Sequence, residues 1–465
     1  MNAMRTRSLG SLSRRAFLRW FTLSAAALAA GCAAPATPTA TPPPPTPTRA
    51  PDLNLWWWGE QQAPGLAAWL TGQLQAYQAQ TGGKVVATLK EYQAVLSDFR
   101  QAAEAGTPPD VQSLWSGRGL FDSIWRGHLA GLDTVLPKDF LTTNAAVLSA
   151  FGGHTYRLGW YALPLTWLYN KRLFKQADLD PAAPPADWDS FIAAGRKLKA
   201  AGITPLASGL SDGYAFEAYF AYALPQVSQT LGDALALMDS DLDWTKPDYR
   251  VVWERLAQMG HEKLFADDAA STDGYTGLTR FAQSQAGMAF ELYTYGRLAL
   301  DALGPDVVGV WQGPRWGTGP LAARPVMDMQ GFAIAARAAS PQAAGDLLRF
   351  LNSQASSDAL WQAARMLPAS RAWDGTRLLR GLVHQQLWSD WVQANYLPYM
   401  PAIMPVDFWD KAMFQGSQKL LAGDLTPAKA AANANAVAMQ WAAANVPFKQ
   451  RYDQLRSELA PPRGG

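Results

Sequence analysis

Past residue 52 the chain alternates short apolar runs with longer stretches of helical spacing. "LNLWWW" (53–58) reads as a strand, and "APGLAAWLTGQLQAYQAQTG" (63–82) reads as a helix with Pro64 near its start and Gly82 after its end. "KVVATLKEY" is a second strand, "AVLSDFRQAAEAG" a helix, and "PDVQSLW" a third strand. Strand and helix in alternation predict parallel sheet with crossover helices. Strand patterns return in "AGMAFELYTYG", "DVVGVWQG" and "VMDMQGFAIAA", and beyond Pro341 the pattern is nearly all helix. Along the first strand, side chains alternate, so Trp57 shares a face with Leu53 and Leu55 while Trp56 and Trp58 share the other. A parallel strand covered on both sides is apolar on both, which assigns Trp56 and Trp57 to the core. Trp58 ends the run beside Gly59, whose missing side chain leaves room for a ligand.

The first 51 residues follow other rules. "SRRAFLRW" sets Arg14 and Arg15 ahead of an apolar run, Trp20 to Gly31, of only 12 residues. A membrane-spanning helix needs ~20, so residues 1–31 read as an export signal, of twin-arginine type. Cys32 is the single cysteine, which excludes an internal disulfide and a thiolate metal site. "LAAGC" before it resembles the lipobox of bacterial lipoproteins, with Ala29 where a branched residue is usual; that resemblance implies a lipidated Cys32 and an anchor to the outer face of the cytoplasmic membrane. Residues 33–51 carry 8 prolines in 19 positions and read, with Cys32, as an extended tether.

Charge excludes one partner class. The five arginines of residues 1–31 leave without an acid, so 40 bases against 38 acids becomes 35 against 38, and +2 becomes −3. No basic stripe interleaved with aromatics remains, and nucleic acid is not expected as a partner.

"GGHTYRLGWYALPLTWLYNKRLFKQADLD" (152–180) resembles the hinge-crossing segment of extracytoplasmic sugar-binding proteins of ABC importers, the carbohydrate-binding family 1 type. The matching positions are Gly153, His154, Tyr156, Leu168, Tyr169, Asn170, Lys171, Leu173 and Phe174. "PADWDSFIAAGRKLKAAGITPLA", "FAQSQAGMAF", "QGFAIAARAASPQAAGDLLRFLNSQASSDALW", "LPAS" and "LAGDLTPAKAAANA" continue it in order, from about residue 53 to 450. The chain departs from the pattern at Gly159, where proline is common, at Gln330, in place of a glycine, and at Tyr293 or Tyr295, near a usual tryptophan. The resemblance implies an α/β, two-lobed periplasmic-binding-protein fold of type II, each lobe a mostly parallel sheet flanked by helices, with a helical C-terminal part. It places lobe 1 at 52–159 and 312–374 and lobe 2 at 160–311 and 375–465, with crossings near 158–161 and 309–312. It also implies a monomer, hinge closure on a mono- or oligosaccharide, and delivery to ABC permease subunits.

A sugar needs flat apolar platforms for its C–H faces and placed polar groups for its hydroxyls. In open α/β sheets ligands lie beyond the carboxyl ends of strands. That rule nominates Trp58 and Glu60, then Trp115 and Ser116, in the first lobe. Trp160, Tyr161 and Trp167 follow at the crossing, then Glu291, Tyr293 and Tyr295, and on the return Trp316, Asp328, Met329 and Gly331. No catalytic residue, metal or cofactor is expected: His128, His154, His261 and His384 are scattered, and no phosphate loop, zinc signature or nucleophile elbow occurs. Three alternatives stay open: a secreted glycoside hydrolase using paired carboxylates, a binder of a polyol or glycerophosphodiester, and a structural lipoprotein.

Overall fold

The computed structural model describes residues 49–459, except Gln93 and the side chain of Tyr295. The export signal, Cys32 and most of the tether therefore lie outside the described residues. The chain enters with β1 (Leu53–Trp57), α1 (Leu66–Thr81), β2 (Val85–Leu89), α2 (Val95–Glu104), β3 (Val111–Leu114) and α3 (Arg118–Trp125). Gly82 ends α1 in the left-handed region and donates its N–H to the Gln78 carbonyl, the role its position suggested. In β1, Leu53, Leu55 and Trp57 are buried, as alternation requires. Trp56, expected in the core, is only half-buried, with the Lys90 ammonium 4.2 Å above its ring. β1 is flanked by β2, an edge strand that leaves Val86 and Leu89 exposed, so cover on that face is incomplete.

β4 (Leu158–Asn170) is buried at all 13 positions. After α4 (Trp188–Ala200) come β5 (Thr204–Ala207), α5 (Tyr214–Val227), α6 (Leu231–Met238), β6 (Ala286–Leu292), α7 (Tyr293–Leu303), β7 (Val308–Trp311) and β8 (Val326–Ile334). The long helices 341–351, 427–444 and 446–459 dominate the rest, with one two-residue strand, β9 (Leu397–Pro398). The sheet runs β2-β1-β3-β8-β4-β6-β5, with β7 also on β4 and β9 on β8.

The sheet is mixed, which corrects the mostly parallel expectation. β1 pairs with β2 and β3, and β5 with β6, in parallel. β8 is antiparallel to both β3 and β4, and β4 is antiparallel to β6 and β7. The reason is topological. β4 carries the chain from one lobe into the other and β8 carries it back, so the two run in opposite directions. Leu158–Pro164 faces β8, whereas Leu165–Asn170 faces β6 and β7. Partners change between Pro164 and Leu165, a few residues later than 158–161.

The C-terminal helix 446–459 is clasped onto the end of α6. Asp239, fully buried, pairs with Lys449 at 3.6 Å and Arg456 at 3.7 Å, and Asp241 and Asp453 join the same two cations. Burial pushes the Asp239 carboxyl up to about 6, with the neighbouring cations opposing that shift. These three aspartates could group around a metal ion, but the two basic side chains already supply their counter-charge.

Candidate functional site

Beyond the carboxyl ends of β1, β2 and β3 stand three aromatic rings. Trp58 meets Trp115 edge-on at 5.1 Å, Tyr92 stacks on Trp115 at 5.4 Å, and Trp58 and Tyr92 are 5.3 Å apart. Trp115 is half-buried and Tyr92 is 51% exposed, so this group reaches solvent. The buried indole N–H of Trp58 has no partner among the described residues. Burial, and then the negative charge of Glu217, raise the Tyr92 hydroxyl above its ordinary range. Glu217 belongs to α5, so segments far apart in the chain approach one another here.

Glu217 is the one charged residue of α5, whose other positions are nearly all apolar. Its carboxylate accepts from the Trp409 indole N–H at 2.8 Å and interacts with the Tyr399 hydroxyl. Desolvation raises its pKa, the Trp409 bond opposes that, and the charge of Asp328 adds to it. Glu291, at the end of β6, is buried; burial pushes its carboxyl up to about 8, against hydrogen bonds from the Leu292 N–H and Tyr214 and with the charges of Asp212 and Glu217 adding. At neutral pH Glu291 is therefore protonated and able to donate a hydrogen bond. Tyr399 senses Glu217, Glu291 and Asp328 together: burial first, then these charges, lift its hydroxyl well above the ordinary range.

Asp328, on β8, forms the floor. It accepts from the Ser116 hydroxyl and from the Met329 N–H. Burial raises its carboxyl, and the adjacent Arg157 guanidinium pulls it back. Arg157 is fully buried and donates to the carbonyls of Leu114, Met329 and Val147 at 2.7 to 3.0 Å. Burial lowers its pKa to about 10, which leaves it charged. One cation thus ties the end of β3 to β8 beneath the carboxylates. The Tyr161 hydroxyl donates to Gln62 at 3.2 Å, and a side chain at Gly59 would come within 3.1 Å of it.

The sequence-derived candidates therefore divide. Trp58, Trp115, Ser116, Tyr161, Glu291 and Asp328 come together. Trp160 does not: 4% exposed, it stacks on Phe332 at 4.6 Å and on Trp69 at 5.4 Å. Trp167 packs inside lobe 2 against Phe290 at 4.5 Å, and Trp316 against Trp188 and Tyr222. Tyr293 is buried and donates to the Arg365 carbonyl at 2.7 Å. The Met329 side chain is buried, and a side chain at Gly331 would run into the Leu158 carbonyl at the bulge between β8 and β4. Glu60 turns away to accept from the N–H groups of Gly65 and Ala67, capping α1. The Tyr295 side chain lies outside the described residues. Trp160, Trp167 and Met329 lie within strands, where alternation sends every second residue into the packed interior, whereas Tyr293 opens α7 and Glu60 sits in the turn before α1.

Sequence reasoning missed Tyr92, Glu217, Tyr399 and Trp409. One signal was available, the lone acid in "YAFEAYFAYAL", since an unpaired charge in an apolar helix asks for a purpose. Tyr399 and Trp409 carry no comparable local mark.

Residues 60–357 match the family described as bacterial extracellular solute-binding protein. The chain belongs to that family. Among solved structures this solute-binding protein resembles a chitin oligosaccharide binding protein, 20% identical, with a TM-score of 0.71 over 84% of this chain and 98% of that one. It also resembles an ABC substrate-binding protein from Listeria monocytogenes in complex with cycloalternan, at 17% identity, TM-score 0.65, covering 86% and 99%. A third is the maltose/maltodextrin-binding domain from Bdellovibrio bacteriovorus bound to maltotriose, at 20%, 0.62, covering 84% and 99%. No curated protein sequence matches. The two-lobed fold of the solute-binding protein is thereby shared with these structures. Among its described residues, no helix is long and apolar enough to cross a membrane.

Proposed function

We propose that the protein captures a carbohydrate between its lobes and passes it to an ABC-type permease. The observation that carries this reading is the facing of the Trp58–Tyr92–Trp115 group by Glu217, Glu291 and Asp328. Ring faces suit the C–H patches of a sugar, and carboxyl groups suit its hydroxyls, with protonated Glu291 able to donate. The cycloalternan and maltotriose complexes of similar structures support the same class of ligand. In this reading no bond is broken, because Glu217 is held by Trp409 and Asp328 by Ser116 and backbone rather than poised about a leaving group. Export by residues 1–31, lipidation of Cys32, the tether to residue 51 and action as a monomer complete the proposal. Lobe 1 is then 52–159 with 312–374, and lobe 2 is 160–311 with 375–465.

A thermal-shift screen over mono- and oligosaccharides tests it. A cognate sugar at 100 times its dissociation constant stabilises the fold by about 2.7 kcal/mol. Repeated turnover of released product would instead establish a hydrolase.

A further inference from the structure

Three chain segments that carry Tyr92, Trp115 and Trp409 also line a cavity of about 570 Å³. The loop bearing Tyr92 continues into Leu96, the turn bearing Trp115 and Ser116 continues into Arg118, and Val406 sits shortly before Trp409. Arg118 joins the two spaces: it donates to the Met404 carbonyl at 2.9 Å, its charge acts on Glu217, and its side chain lines the cavity.

The far wall repeats the chemistry of the cleft. Trp125 meets Phe448 edge-on at 6.0 Å and lies 5.5 Å from Tyr452, both on the C-terminal helix. Phe448 is 38% exposed and Val406 56%. The buried indole N–H of Trp125, like that of Trp58, has no partner among the described residues. The volume falls within the roughly 300 to 1,000 Å³ of small-molecule sites, well beyond a packing defect.

We propose that this cavity takes the further units of a sugar chain whose first unit is held at the cleft, which makes the ligand an oligosaccharide. The inference rests on the carbohydrate reading above. Ring faces at Trp125 and Phe448 receive the next sugars, and the Trp125 N–H donates to a hydroxyl. Calorimetric titration of the full chain with one- to five-unit members of the malto-, xylo- and chito-oligosaccharide series tests it. Affinity is expected to rise at least about tenfold from one unit to three in the series that binds. Phe448→Ala and Trp125→Phe should each remove most of that rise and leave the one-unit affinity unchanged. Equal affinity at every length, or a rise that survives both substitutions, overturns the proposal. Absence of binding in all three series overturns the carbohydrate reading beneath it.

Discussion

Lobe 1 holds two groups of three aromatic rings. Trp69, Trp160 and Phe332 stack between α1 and β8, near-parallel and sealed. Trp58, Tyr92 and Trp115 meet mostly at steep or tilted angles beyond the strand ends, with Tyr92 open to solvent. Ring type and spacing are alike in the two. What separates them is the company: apolar neighbours around the first, and the carboxyl groups of α5 and β6 before the second. An aromatic group is a site only where something polar waits opposite.

The sharpest way to break this contrast is to truncate one member of each group. Trp160→Ala should cost ~3–5 kcal/mol of stability in a denaturant titration, since it empties a sealed stack. Equal loss from Trp115→Ala would erase the distinction.

The second test concerns the acid wall. Glu291 keeps its proton up to about 8 in the folded chain and loses it near its ordinary value of 4.5 when unfolded. The folded state therefore holds the extra proton across that window, and stability falls as pH rises through it. Glu291→Gln should flatten this slope in unfolding measured from about pH 5 to about pH 8.

Next in size, Trp115→Ala should weaken the cognate sugar about tenfold or more while leaving the unfolding midpoint nearly unchanged, because the ring is half-exposed. Calorimetric titration and denaturation, run on the same sample, check both halves. The smallest effect belongs to Glu60→Gln. Loss of the charge at the start of α1 should cost about 0.3–1 kcal/mol, with sugar affinity unmoved; a large affinity loss would return Glu60 to the ligand.

How much of this could be read from the chain depends on which physical rule governed each residue. α1 was legible because Gly82 has a conformational job at its end, whereas β4 entered only through the resemblance of 152–180 to a hinge-crossing segment. Glu291 was nominated because it closes a strand, where ligands lie in α/β sheets, and Asp328 because it stands on the return crossing. Trp160 was misassigned because its place on a strand does not fix which face its side chain takes, and Tyr293 because the chain turns into α7 there and buries its ring. Trp409 was invisible for another reason. Its role depends on Glu217, 192 residues away, and no local pattern encodes a meeting set by how two lobes pack.

Pro164 has a mechanical consequence. It stands where β4 exchanges β8 for β6 and β7. A proline has no amide hydrogen to give, so the backbone there has one fewer bond to break when it bends. Sliding one half past the other would tear a ladder on each flank, whereas tilting about this point tears neither.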